Sequence, residues 1–127
     1  QEFAFTDSND VASVTQSAAD YADVVYIPTD NTAASNTEAI ANILVPAGVP
    51  AIAGEEGICS GCGVATLSIS YYDLGVTTGK MAAKILTGEA DISTMPIEYT
   101  DATPKYNPTI CETLNITPLD GYTAIED

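Results

Sequence analysis

The chain has 127 residues, room for one domain with a buried core, and its 46% hydrophobic against 17% charged content marks it as globular rather than disordered. Three Lys and Arg stand against eighteen Asp and Glu, a formal net charge of -15 that repels phosphate backbones and anionic membrane surfaces, so nucleic acid is not an expected partner and solubility is the simplest account of the acidity. With no His and no Trp, imidazole catalysis and imidazole-bound metal are excluded, and no apolar run approaches the ~18 residues of a bilayer span.

Phe3-Ala4-Phe5 reads as the end of a strand, and Thr6-Asp7-Ser8-Asn9-Asp10 as a polar loop rich in potential N-caps, with Asp10 a cap or first-turn acid. From Val11 onward, Val11, Val14, Ala18 and Ala22 fall on one helical face. The β-branched run Val24-Val25-Tyr26-Ile27 then stops at Pro28, and Thr29, Asp30 and Asn31 precede an Ala-rich helical segment starting at Ala33. This pattern predicts a buried strand over 24–28 that delivers polar side chains to its C-terminal edge, where ligands bind in open α/β sheets. Asp30 and Asn31 are the first candidates for touching a small polar ligand; helix capping accounts for the same residues, and the two roles are compatible. The following helix carries Ile40, Ile43 and Leu44 and closes at Pro46 and Gly48, after which 49–53 predicts another strand. Each crossover is long enough for a right-handed βαβ unit, hence a parallel sheet.

Residues 64–71 alternate, with Ala65, Leu67, Ile69 and Tyr71 on one face, which assigns Tyr71 to the core. A helix capped by Asp73 carries Val76, Met81, Ala82, Ile85 and Leu86 as far as Gly88, and 95–99 predicts a further strand. Asn107-Pro108 opens a last helix, Asn as cap and Pro at the first helical position, which ends at Asn115 or within 116–118. Cys59 and Cys62 form Cys-Ser-Gly-Cys with only Cys111 left over, too few ligands for a structural zinc. A redox pair normally opens a helix after a strand, whereas here glycines surround it and a strand follows. A local disulfide or two reduced thiols are therefore expected, with Cys111 a small buried hydrophobe; neither metal nor cofactor is called for.

The order of these pieces resembles one family. Ser8-Asn9-Asp10-Val11, Tyr26-Ile27-Pro28-Thr29-Asp30-Asn31, Tyr71-Tyr72-Asp73-Leu74-Gly75, Ala83-Lys84-Ile85-Leu86-Thr87-Gly88-Glu89, and Asn107 with Leu114-Asn115-Ile116 are similar to the C-terminal half of ABC-transporter substrate-binding proteins of the tryptophan/tyrosine (TrpX-like) type. The resemblance implies an α/β fold: a three-layer parallel-sheet lobe of a type I periplasmic-binding-protein fold, incomplete here because the N-terminal half is missing. Residues 1–127 would form one α/β unit of a two-lobe protein, with 64–88 belonging to the other lobe, and apolar surface and sheet edges would be left uncovered. The fragment would then self-associate or be held by a larger assembly.

The function implied is that of the solute-binding component of an ABC importer, which delivers an aromatic or related amino acid to a membrane permease and catalyses nothing. It would work at the extracellular face or in the periplasm, held by a lipid anchor ahead of Gln1. Carried across residue by residue, Thr29, Asp30 and Asn31 would meet the ligand's amino-acid head, Asp30 as carboxylate for an ammonium group. Ser8 and Asn9 match a turn facing the cleft. Glu55 and Glu56 could line the same opening or be solvated loop acids, and Tyr72 could stack on the ligand. Two rivals share these residues: the effector domain of a transcription regulator, and an enzyme using Asp30, Glu55 and Glu56 for acid–base work.

Overall fold

The computed structural model describes residues 1–126. Its elements in chain order are α1 (Val11–Ala19), β1 (Val25–Ile27), α2 (Asn31–Ala34), α3 (Thr37–Ala47), β2 (Ala51–Ala53), α4 (Glu56–Cys62), β3 (Ala65–Ile69), α5 (Tyr71–Leu86), β4 (Ala102–Tyr106), α6 (Pro108–Thr113) and β5 (Thr123–Ala124). The strands form one sheet in the order β1-β2-β3-β4-β5, with β1–β2, β2–β3 and β4–β5 parallel. The chain divides into two compact units, the first made of Gln1–Ser68 and the chain from Thr103 onward, the second of Ile69–Ala102.

In the first unit the inward pleat of the sheet places Ile27, Ala51 and Ala53 against Val11, Ala33, Ile40, Leu44, Ile58, Cys59 and Cys62. Alternation sends Tyr26, Ile52 and Leu67 to the other face, where all three are exposed, so the strand expected to be buried over 24–28 is instead an edge strand over Val25–Ile27 with one open face. The same alternation corrects the reading of 64–71. The period of two is right, but Thr66 and Ser68 are the buried residues and Leu67 is 58% exposed. The reason is α4, whose Glu56 receives the Ser68 hydroxyl at 2.9 Å and so makes the inward side of β3 polar. The bare apolar face is the uncovered surface expected of an incomplete lobe.

Several boundaries also shift. Phe3–Phe5 is not a strand: no strand among the described residues pairs with it, and its aromatic rings pack instead, Phe5 against the core and Phe3 on Tyr21 with centroids 5.7 Å apart. Helix α1 stops at Ala19, so Ala22 lies beyond it. The segment after Asp30 is two helices, broken at Ser35 and Asn36, where the Asn36 amide donates to the Thr32 carbonyl at 2.7 Å. Gly48, with φ 72°, closes α3 in the left-handed conformation, and Pro46 sits inside its last turn. The Cys-x-x-Cys segment is helical, not a loop. Gly57 and Gly61 each weaken a helix by about 1 kcal/mol relative to Ala, which hid α4 from the pattern. Packing demands one of them, because a Cβ on Gly61 would run into the Thr37 side chain. The strand expected at 95–99 is absent; the chain pairs later, at β4, despite Pro104. Helix α6 forms as expected, with the Asn107 side-chain Oδ1 accepting from Ile110 N–H at 3.1 Å, Pro108 in the first turn and Asn115 at φ 54° after its end.

In the second unit α5 begins two residues before the expected Asp73. Its cap is Ser70, whose hydroxyl accepts from Asp73 N–H at 3.1 Å, so Asp73 is a first-turn acid rather than the cap. None of its residues is buried; Tyr71 is exposed rather than in the core, because the pleat ends at Ile69 and Tyr71 already belongs to the helix. Lys84 and Glu98 form an exposed ion pair at 3.5 Å.

All three thiols are free and buried, which decides between the disulfide and the reduced pair in favour of the latter. Burial first, then the neighbouring Cys111, Cys62 and Glu56, pushes Cys59 up to about 12; burial and Glu55 do the same to Cys62, and burial raises Cys111. A thiol-reactive dye at about pH 8 should therefore leave the native chain unlabelled over minutes and label all three cysteines in denaturant; fast native labelling of Cys59 would contradict this packing. Leu44→Ala should cost about 2–5 kcal/mol in urea unfolding, since Leu44 is among the largest fully buried side chains.

Candidate functional site

Two strand-to-helix turns of the first unit meet at the C-terminal edge of the sheet. β1 ends at Ile27, whose carbonyl accepts from Gly54 N–H at 2.8 Å, one residue past the end of β2. The two turns then run so close that a Cβ on Gly54 would lie 2.7 Å from the Thr29 nitrogen. Only glycine admits this approach, and it places Thr29 beside the Gly54-Glu55 turn. One residue on, Asp30 Oδ1 accepts from Ala33 N–H at 2.8 Å and caps α2. Glu55 caps α4, accepting from Gly57 N–H at 2.8 Å and from Ile58 N–H. The capping role is thus realised at both acids, and Glu55 is not a solvated loop acid. Asn31 is the first residue of α2 and exposed, its carbonyl accepting the Ser35 hydroxyl at 2.8 Å.

The Thr6–Asp10 loop reaches the same region through one side chain. Ser8 Oγ accepts from Asn36 Nδ2 at 3.1 Å, which ties Ser8 to the α2–α3 junction. Asp10 precedes α1 without capping it. Its carboxylate turns back to accept from Thr6 N–H at 3.0 Å and Asp7 N–H at 3.2 Å, and these backbone donors hold it below the usual carboxylate range. Asn9 is exposed, its backbone N–H donating to Asp7 Oδ1 at 2.7 Å. Thr29, Asp30, Asn31 and Glu55 are thereby gathered at one sheet edge with Ser8 linked to them. Tyr72 belongs to the second unit, in the first turn of α5, and is 79% exposed.

Sequence reasoning missed a polar cluster beside Glu55. Glu56 accepts two contacts from Lys105 Nζ, at 2.7 and 2.8 Å, besides the Ser68 hydroxyl. The signal available was Lys105 itself, the single Lys or Arg in the first unit. Asn36 was missed as well; an Asn inside an apparently continuous helix was the clue.

A separate cavity of about 750 Å³ runs along the free edge of β1, lined by Phe3, Phe5, Tyr21, Tyr26, Pro28 and Asp30 among others. It reaches Asp30 but none of the other candidate residues. Among the described residues no group of three His, Cys, Asp or Glu side chains is placed to hold a metal ion, and no helix is long and apolar enough to cross a membrane.

Lys105 and then Ser68 hold the Glu56 carboxyl below its ordinary value of 4.5. A carboxyl depressed in the folded state stabilises above its unfolded pKa, and that contribution is lost as pH falls through the folded value. The stability gap between the wild type and Glu56→Gln should accordingly be widest near about pH 7 and close in acid, below 4.5; a gap independent of pH in urea titrations would contradict the pairing.

Comparison with known proteins agrees with this architecture. The family model for ABC transporter substrate binding proteins matches residues 1–122. A tyrosine-binding protein of Clostridioides difficile is 31% identical over 96 residues, which is 76% of this chain and 28% of the relative. The ligand-free, open structure of a substrate binding protein with adhesive properties from Clostridium difficile superposes with a TM-score of 0.75 at 32% identity, covering 96% of this chain and 42% of that one. An ABC domain from Streptococcus pneumonia, solved in complex with L-Trp, gives a TM-score of 0.83 at 27% identity, covering 98% and 45%. The chain spans less than half the length of each of these relatives. Parallel strands ending in capped helices, and a match over nearly its whole length, make this chain a member of the ABC transporter substrate binding protein family.

Proposed function

We propose that this chain is part of the solute-binding component of an ABC importer and that it captures an aromatic amino acid at the C-terminal edge of β1 and β2. The observation that carries the reading is the convergence of Thr29, Asp30, Asn31 and Glu55 on that edge, with Ser8 tied in through Asn36. In this reading the Asp30 carboxylate receives the ligand's ammonium group, since Oδ1 is committed to Ala33 N–H and Oδ2 remains to accept. Thr29, Asn31 and Ser8 offer hydroxyl and amide groups to the rest of the amino-acid head. Asn9 and Tyr72 enter from the family resemblance. The relatives' own ligands, tyrosine by name in one case and L-Trp in another, support the ligand class. The protein acts by binding rather than catalysis. It delivers its ligand to a membrane permease on the outer side of the membrane, where a lipid anchor holds it. The second unit, Ile69–Ala102, rather than the whole of 64–88, serves the other lobe of the longer protein, since β3 pairs with β2 in the first unit.

The test is a titration of L-tryptophan, followed by fluorescence anisotropy with this chain, which has no Trp of its own, and by calorimetry with a longer protein. It is run on this chain and on a two-lobe protein extended at the N-terminus, with tyrosine and phenylalanine as competitors. Saturable binding by the extended protein, displaced by tyrosine, is expected. Asp30→Asn keeps a capping oxygen but loses the charge, so it should weaken binding by at least about tenfold while leaving the melting temperature nearly unchanged. Full affinity in Asp30→Asn, or no binding by the extended protein, would overturn the assignment.

A further inference from the structure

The chain crosses out of the first unit after Ser68, near the end of β3, and returns at Thr103, near the start of β4. A single side chain from a third element holds both crossings. The Glu56 carboxylate, in the first turn of α4, accepts the Ser68 hydroxyl at 2.9 Å from the outgoing strand and the Lys105 ammonium at 2.7 and 2.8 Å from the returning one. Ser68 is 5% exposed, so its hydroxyl is withdrawn from water and relies on Glu56 for a partner. The ammonium–carboxylate contacts are charge-assisted and short. Lys105 is the one cationic side chain this acidic unit has, and it is spent between strands rather than on open surface.

The anchor is stiff. Ile58 and Cys59 have no exposure, Glu55 caps the start of α4, and Asn107, immediately after β4, donates its amide to the Cys59 and Ser60 carbonyls at 3.2 and 2.8 Å. A carboxylate on so fixed a helix holds whatever it binds in register with the sheet.

We propose that Glu56, Ser68 and Lys105 are positioning residues that fasten the outgoing and returning strands to each other, so that bending of the two connections is confined to Ile69–Ser70 and Asp101–Ala102. Its purpose rests on the binding function above, because lobe closure over a ligand needs a defined bending point; the clamp itself does not depend on any ligand.

Hydrogen-exchange mass spectrometry of the whole chain tests it without ligand. Glu56→Gln should speed exchange at least about tenfold in both 66–69 and 103–106, while amides of α1 and α3 stay within about twofold of the wild type. Ser68→Ala should loosen 66–69 alone and Lys105→Met 103–106 alone. Unchanged exchange in both segments of Glu56→Gln, or a uniform rise that includes α1 and α3, overturns the clamp. Should Glu56→Gln fail to fold, the other two variants decide: segment-specific loosening supports the clamp, and identical exchange maps overturn it. Absence of tryptophan binding in the titration above would leave this result standing, so the two readings fail separately.

Discussion

Helix α4 has seven residues, two of them glycine, and no helix of that kind persists in water by itself. It exists because Ile58, Cys59 and Cys62 are driven into the core, an Ile alone being worth about 1.5–3 kcal/mol of apolar burial. Two close approaches let it seat so deeply: Gly61 passes the Thr37 side chain, and at the helix end a Cβ on Gly63 would lie 3.2 Å from Ala53 Cβ and 3.3 Å from the Ala51 carbonyl oxygen of β2. Once α4 is seated, much else in the first unit has its place. Glu55 stands at the end of β2 facing the Thr29 turn, Glu56 stands over β3 and β4, and Asn107 is drawn in to start α6. Loosening this helix would therefore disturb the sheet edge and the strand crossings together.

The same packing explains an inversion in the sheet. β3 buries Thr66 and Ser68 and exposes Leu67, the reverse of what apolar–polar alternation suggests. Burying hydroxyls costs free energy unless they are hydrogen-bonded, and only one of the two is: Ser68 reaches Glu56, whereas Thr66 Oγ1 has no partner among the described residues. On the far side Tyr26, Ile52 and Leu67 present an apolar surface that a self-sufficient domain would cover. Both faces make sense in a chain that spans under half the length of its structural relatives.

What was legible in the chain was written in local chemistry. Pro28 stopping a β-branched run, Gly48 in its left-handed turn, and Asn107-Pro108 at a helix start act within a few residues and were read correctly. Asp30 was legible as both cap and candidate contact, and its capping bond is present. What was illegible depended on contacts distant in sequence. The glycines of α4 look like loop residues until Thr37 is seen against Gly61 and the Glu55 carboxylate against Gly57. Pro104 argues against a strand, and Met95–Tyr99 argues for one, until strand pairing is known. Glu56 looked like one of two loop acids because its partners are 12 and 49 residues away. Ser70 displaced Asp73 as a cap by a difference of one turn, the ordinary uncertainty of a helix end.

The two N-caps at the sheet edge carry a thermodynamic consequence for recognition. A carboxylate free to rotate must surrender rotamer freedom when a ligand arrives, and long acidic side chains surrender the most. Asp30 and Glu55 have made that sacrifice during folding, each held by first-turn N–H groups of its own helix. An ammonium group arriving at Asp30 would meet an acceptor already oriented, so the ordering penalty is charged to the stability of the fold rather than to affinity.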